Sequence, residues 1–399
     1  MDLCMQNELL VVPFMRAGLS PDGKIVLTRK FIEGMALYRR YWPGEVTVLL
    51  RLSPVIDDSL DHVVVNPAEL PFGIEFWPVV RALLIARFAK AKVVLATLVR
   101  EFLHLPKDCQ VADTRLVWIA ETSLRTRLQI IEAEVANPLR RYKRKLTESL
   151  LERYYRTAVA RSNGVQCNGT PVFQAYKVLN RRPLLFFDSR VGSCLLADAD
   201  AIHVKTRRLL GGEPLRLAFS GRLISIKGVE FLPGVANELR RLGVLFTLDI
   251  YGAGDRESAL QEKIARMGLL DCVRMRGVFD FESELVPVMK RDVDLFICCH
   301  PQGDPSCTYL ETLSCGTPIA GFGNEAWVGL AALSGAGWVT PIGDPVALAT
   351  QISILDKKRS LLVDACNMAR KFSSRHTFEE TMRARVDHLQ FCVGDGGAA

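Results

Sequence analysis

Four short stretches in the second half of the chain join an apolar run to a turn of Gly and small polar residues. They are SGRLISIKG (220–228), IYGAGDRE (250–257), MRGVFD (275–280) and GDPSCTYLETLSCGTPIAG (303–321). In the first, Gly221 frees the backbone, and Arg222 and Lys227 lie five positions apart across a loop. A forked guanidinium and a compact ammonium so placed can converge on one diphosphate. Read alone, the pair is equally two solvated surface cations. In the second, Gly252 and Gly254 follow a strand, but Arg256 and Glu257 stand where a dinucleotide fingerprint needs a further Gly. That argues against NAD and leaves a tight strand-to-helix turn. In the third, Gly277 and Val278 end a short strand, where backbone groups can meet the edge of a base; alone it is an ordinary loop. In the fourth, Pro301 and Pro305 block helix and Gly303 relaxes the backbone. Ser306 is placed to cap a helix through its hydroxyl, and Gly316 with Pro318 ends it. Free amides at Ser306, Cys307 and Thr308 would bind an anion. Glu311, on the face of Thr308, could accept from vicinal hydroxyls such as those of a ribose. The competing reading of Glu311 is an early-helix acid favoured by the helix dipole.

The rest of the composition limits what such turns can serve. A chain of 399 residues suits two domains, and 49% hydrophobic with 24% charged residues is a globular profile. The net charge of +7 permits an anionic ligand or an acidic membrane surface and demands neither. Eleven Cys show no CxxC and no zinc-type Cys/His spacing, so no metal site is expected. With no basic-then-apolar leader at the N-terminus, the thiols point to a reducing cytoplasm. The most apolar stretch, 78–99, is broken by Arg81, Arg87, Lys90 and Lys92, which suits a soluble helix and strand better than a membrane span. No basic stripe interleaved with aromatics crosses the second half, so nucleic acid is not an expected partner.

Short apolar runs alternate with amphipathic stretches throughout, which predicts parallel sheets with crossover helices. Strands are expected at 9–14, 45–51, 62–66, 92–98 and 115–121, and a helix at 28–42. Residues 123–162 read as one long basic helical region. The polar segment 197–214, including Asp198 and Asp200, reads as a linker with its hinge at Gly211–Gly212. After it the rhythm restarts with strands near 215–223, 246–254, 272–277 and 294–300. This is an α/β architecture of two doubly wound domains, with ligands expected at the strands' carboxyl ends.

In the first half, the Gly-containing segment 13–31 is expected to be a cleft-facing loop, with Arg16 and Lys24 available to an anionic acceptor or simply as surface charge. Glu121 ends a strand, where its carboxylate can bind a hydroxyl; a plain helix cap by Thr122 or Ser123 is the competing reading. Residues 137–156 carry Arg140, Arg141, Lys143, Arg144 and Lys145 among leucines and tyrosines. Such a helix can lie on anionic lipid or pack on the core with a solvated basic face.

Taken as an ordered set, the four turns resemble the donor half of a GT-B glycosyltransferase of family 4, over roughly residues 215–354. The resemblance implies two Rossmann-like domains facing a cleft. We expect an acceptor domain at 1–205, a nucleotide-sugar domain at 206–373 and, at 374–399, a helix crossing back to the first domain with a tail. It implies a retaining, metal-independent transferase that takes a nucleotide-diphospho-sugar as co-substrate, needs no cofactor, and guides same-face attack by the leaving phosphate. Position by position, Arg222 and Lys227 match the pair that holds the diphosphate, beside the Gly221 and Gly252 turns. Gly277 and Val278 match the base-binding turn. Ser306, Cys307 and Thr308 fall where backbone amides meet phosphate, and Glu311 matches the second Glu of a Glu-seven residues-Glu motif, on the ribose. The first Glu of that motif falls at Gly303, with Asp304 next to it. The expected function is transfer of a sugar to a glycan or lipid-linked acceptor in bacterial exopolysaccharide or cell-surface polysaccharide assembly, in the cytoplasm or at the inner face of the membrane. The rival readings are a nucleotide-sugar epimerase on the same fold and a non-enzymatic basic membrane-binding relative.

Overall fold

The computed structural model describes residues 7–20, 23–53, 62–303 and 305–394. The first ten strands form one sheet: β1 (Leu9–Val12), β2 (Arg16–Leu19), β3 (Ile25–Thr28), β4 (Val46–Ser53), β5 (His62–Val65), β6 (Gly73–Phe76), β7 (Val93–Thr97), β8 (Arg115–Ala120), β9 (Gly164–Asn168) and β10 (Pro183–Phe186). Their order is β10-β9-β8-β7-β1-β4-β2-β3-β5, with β6 also pairing β4. Along β1 the side chains alternate between two cores: Leu9 and Val11 enter one, Leu10 and Val12 the other. A strand buried on both faces needs such an unbroken apolar run.

Two expectations change here. The sheet is not wholly parallel, because β3 runs antiparallel to both β2 and β5. Segment 13–31 is therefore not one loop: it folds as the β2–β3 pair and leads into the helix Arg29–Tyr41, capped by the Thr28 hydroxyl. The basic region 123–162 is two helices, Leu124–Glu134 and Pro138–Ala160. Pro138 cannot continue the first, and Asn137 caps the second through the Arg140 amide.

The remaining strands form a second, all-parallel sheet: β11 (Leu215–Ser220), β12 (Phe246–Tyr251), β13 (Val273–Gly277), β14 (Leu295–Cys298), β15 (Ile319–Phe322) and β16 (Gly337–Thr340). Their order, β13-β12-β11-β14-β15-β16, reverses direction between β11 and β14. In an open α/β sheet that reversal opens a crevice at the strands' carboxyl ends.

The expected linker 197–214 is also corrected. Asp198 caps a helix, Ala199–Leu210, through the Ala201 amide. Its Lys205 is fully buried and donates to Thr317 Oγ1 at 2.6 Å and the Cys315 carbonyl at 3.1 Å. Arg208 of the same helix forms a buried pair with Asp294. These contacts tie the helix to the second sheet, so a division at 205/206 cuts through it, and Gly211–Gly212 is its turn into β11. The closing helix Phe378–Val393 lends Met382, Val386 and Leu389 to a core of the first sheet. Its Arg385 donates from Nε to buried Gln166 at 2.8 Å.

Candidate functional site: the donor crevice

The site forms where the strand order reverses. Gly221 follows β11, Gly252 follows β12 and Gly277 closes β13, and the three are bonded in series. The Gly221 amide donates to the Tyr251 carbonyl at 3.1 Å, and the Gly252 amide to the Gly277 carbonyl at 2.7 Å. At Gly252, φ is +127° and an added Cβ would lie 2.0 Å from the Gly221 oxygen, so only glycine lets these turns touch. The close approach engages one lone pair of the Gly277 carbonyl inside the protein. Exposed Val278 stands next to it at the rim. Arg222 is exposed at the mouth of the crevice.

Lys227 crosses that crevice. Its side chain is buried, and its Nζ donates to Ser306 Oγ at 3.1 Å, joining the β11 turn to the β14 turn. The Ser306 hydroxyl does not cap the helix Cys307–Ser314 as expected, and among the described residues no side-chain cap bond replaces it. Its first turn leaves backbone amides at Cys307 and Thr308 beside the Lys227 ammonium, a concentration of positive potential suited to phosphate. Beneath them His300 is fully buried, and burial together with the Lys227 charge holds its imidazole well below the usual histidine pKa.

Glu311 lies on the same helix, half-buried, and accepts from Arg190 Nε at 2.8 Å. The Arg190 guanidinium also stacks 3.7 Å from the centre of the Phe281 ring, four residues beyond Gly277. Gly303 lies against the next helix, Glu325–Ser334: an added Cβ would be 3.2 Å from Glu325 Cβ. Asp304 lies outside the described residues.

The first sheet supplies the facing wall. Lys30, in the first turn of the helix Arg29–Tyr41, bridges to Asp188 Oδ2 at 2.5 Å and to Cys307 Sγ at 3.1 Å. Burial opposes the Lys30 charge, but Asp188 and Cys307 outweigh it and raise its pKa. Burial and the Asp188 charge push the Cys307 thiol up to about 12, so this cysteine stays a neutral wall. Glu121 opens to solvent at the end of β8. The protein around it raises its carboxyl pKa, the Asp188 charge adds to this, and Arg385 and Lys30 oppose it. Arg16 lies farther along the wall at the start of β2, between β4 and β3 and in register with Arg51 of β4. Lys30, Asp188 and Arg190 escaped the sequence reading. The only local signal was the DSR triplet directly after an apolar run at 184–187.

Comparison with known proteins agrees with this fold. Residues 214–357 match the family model described as Glycosyl transferases group 1. The amylovoran biosynthesis glycosyltransferase AmsK of Erwinia amylovora is 27% identical over 179 residues, 43% of each chain. The chain spans less than half the length of the curated relatives it matches. Among solved structures, HepE of Anabaena in complex with UDP aligns at a TM-score of 0.67 and 15% identity, covering 96% of this chain and 99% of that one. The lipopolysaccharide outer core galactosyltransferase WaaB aligns at 0.61 and 11%, covering 96% and 99%. Both similarities bear on the fold. The second half of the chain, residues 214–357, is thus similar to the group 1 glycosyltransferases, and the two α/β domains have the GT-B fold of these solved structures.

Proposed function

We propose that the protein is a retaining glycosyltransferase that moves a sugar, of hexose type, from a nucleotide-diphospho-sugar to a glycan or lipid-linked acceptor. The observation that carries this is the Lys227–Ser306 contact across the strand reversal, beside the uncapped helix Cys307–Ser314. In this reading Arg222, Lys227 and the Cys307 and Thr308 amides receive the diphosphate. Their fixed donors stabilise the negative charge that grows on it as the sugar leaves. Val278 and the Gly277 turn border the base, and Glu311 takes the ribose, with Arg190 holding its carboxylate. Arg16 and Glu121 belong to the acceptor side. We place the boundary between the domains ahead of the helix Ala199–Leu210, with the closing helix Phe378–Val393 tying the second domain back to the first. HepE is described with UDP and with UDP-glucose, which makes a uridine nucleotide the first donor to try. The test is a panel of UDP-, GDP- and ADP-sugars scored by heat stabilisation and by release of the diphosphate.

The setting is polysaccharide assembly, by analogy with AmsK, in the cytoplasm at the inner face of the membrane. No helix among the described residues is long and apolar enough to cross a bilayer. Peripheral contact has a physical basis in the helix Pro138–Ala160. Leu139, Tyr142, Leu146 and Leu150 are 82%, 70%, 48% and 57% exposed. At 3.6 residues per turn they fall within about 80° of arc. Another side of the helix faces Glu132, which pairs with Arg141 and Lys145. Arg140, Lys143 and Arg144 are exposed around the stripe, as anionic lipid would require. Replacing Leu146 and Leu150 together with Glu should weaken binding to phosphatidylglycerol vesicles by about ten-fold or more, with melting unchanged. Equal vesicle binding by the variant would remove this helix from the membrane contact.

A further inference from the structure

Arg51 is an anomaly on the first domain's wall. It sits near the carboxyl end of β4, and its Nε and one terminal nitrogen are buried with no hydrogen-bond partner among the described residues. The guanidinium lies 4.6 Å from the centre of the Phe102 ring and 5.8 Å from that of Phe14. Phe14 is 48% exposed, so one side of this sandwich is open to solvent. Trp77 stacks on the far side of Phe102 and holds that ring in place. The neighbour in register on β2 is a second cation, Arg16. Burial and the Arg16 charge together lower the Arg51 pKa, while the charge of Glu101 opposes them. A protein rarely leaves guanidinium nitrogens buried and unbonded beside a like charge unless something else supplies the acceptor.

We propose that Arg51 and Arg16 form an oxyanion subsite that holds a phosphoryl or carboxylate group of the acceptor, with exposed Phe14 as its lip. A guanidinium offers a planar fork of donors, and an oxyanion offers paired oxygens in matching geometry. Such a group would satisfy the orphaned nitrogens and relieve the repulsion between the two arginines. The subsite lies near the carboxyl end of β4, where Arg16 begins β2, and Glu121 stands just past the carboxyl end of β8 in the same sheet. An acceptor anchored there by its charge would extend its neutral end along the wall toward the donor crevice. That the anion belongs to an acceptor rests on the function proposed above; the anion binding itself does not.

The test uses the full chain with the donor crevice disabled by Arg222→Ala and Lys227→Met, so that anions report only on the first domain. Pyrophosphate and glucuronate are titrated separately and binding is read by heat stabilisation and by NMR. We expect at least one to bind, with affinity falling about ten-fold in Arg51→Met and partly restored in Arg51→Lys. Arg266→Met, a surface cation of the other domain, should change nothing. Preference for pyrophosphate identifies a phosphate-bearing acceptor, and preference for glucuronate an acidic glycan. Without ligand, Arg51→Met should melt at or above the parent temperature, because it removes an uncompensated charge. A lower melting temperature with unchanged anion binding would make Arg51 a structural residue and overturn the proposal, as would absence of binding by both anions. Failure of the wild type to bind any nucleotide-sugar would instead count against the donor reading and leave the Arg51 result standing.

Discussion

Lys227→Met should lower the rate of sugar transfer by about 10²–10³-fold, the usual cost of removing one fixed donor from a site where negative charge develops. The effect is specific to position. Lys227 is buried and reaches Ser306 across the crevice, so methionine keeps its packing and loses only the ammonium. Unliganded melting should therefore change little. Arg222 at the exposed rim can still gather the diphosphate, so the loss should fall more on kcat than on KM. A variant within about three-fold of wild type in kcat would mean that the leaving group sits elsewhere, since even one charge-assisted hydrogen bond exceeds that.

The largest stability effect belongs to a residue outside the crevice. Asp294 is fully buried and accepts from Arg208 Nε at 3.1 Å, from the second Arg208 terminal nitrogen at 2.5 Å and from the Arg216 amide at 2.9 Å. Arg208 in turn donates to the Arg291 carbonyl at 2.7 Å. Asp294→Ala leaves a guanidinium buried without its counter-charge, which costs about 3–5 kcal/mol. For a domain of this size that corresponds to a drop of roughly 10 °C in Tm. The double variant Arg208→Met/Asp294→Leu should recover most of the loss, because a buried pair can be exchanged for apolar packing at little net cost. Calorimetry of the three proteins checks both steps. Equal destabilisation by the single and double variants would show that shape, and not uncompensated charge, sets the cost.

The four turns at the strand ends were legible because their residues are near neighbours in sequence. Gly221, Arg222 and Lys227 share one loop, and the uncapped helix start follows Pro305 within two residues. Strands such as β1 and β14 were legible because burial on both faces demands a continuous apolar run. What stayed hidden depends on contacts between distant parts of the chain. Lys30 and Cys307 meet across 277 positions, and no local pattern marks either as a partner of the other. No local pattern marks Arg190 as a partner of Glu311, and only the fold brings the two together. The segment 197–210 was misread because Asp198, Asp200, Lys205 and Arg208 make it polar; two of those cations are buried by partners supplied from β14's flank and the Thr317 turn. The β2–β3 pair was missed because strands of four residues beside a Gly and a Pro give little periodicity to read.

Heat stabilisation by a panel of UDP-, GDP- and ADP-sugars, measured on wild type, Arg222→Ala and Glu311→Ala, tests the central claim most directly. The account predicts that one nucleotide class raises the melting temperature of the wild type. Both variants should melt normally without ligand and lose most of that rise, through the diphosphate in one case and the ribose in the other. A wild type that no nucleotide-sugar stabilises, or variants that respond as fully as wild type, would contradict it.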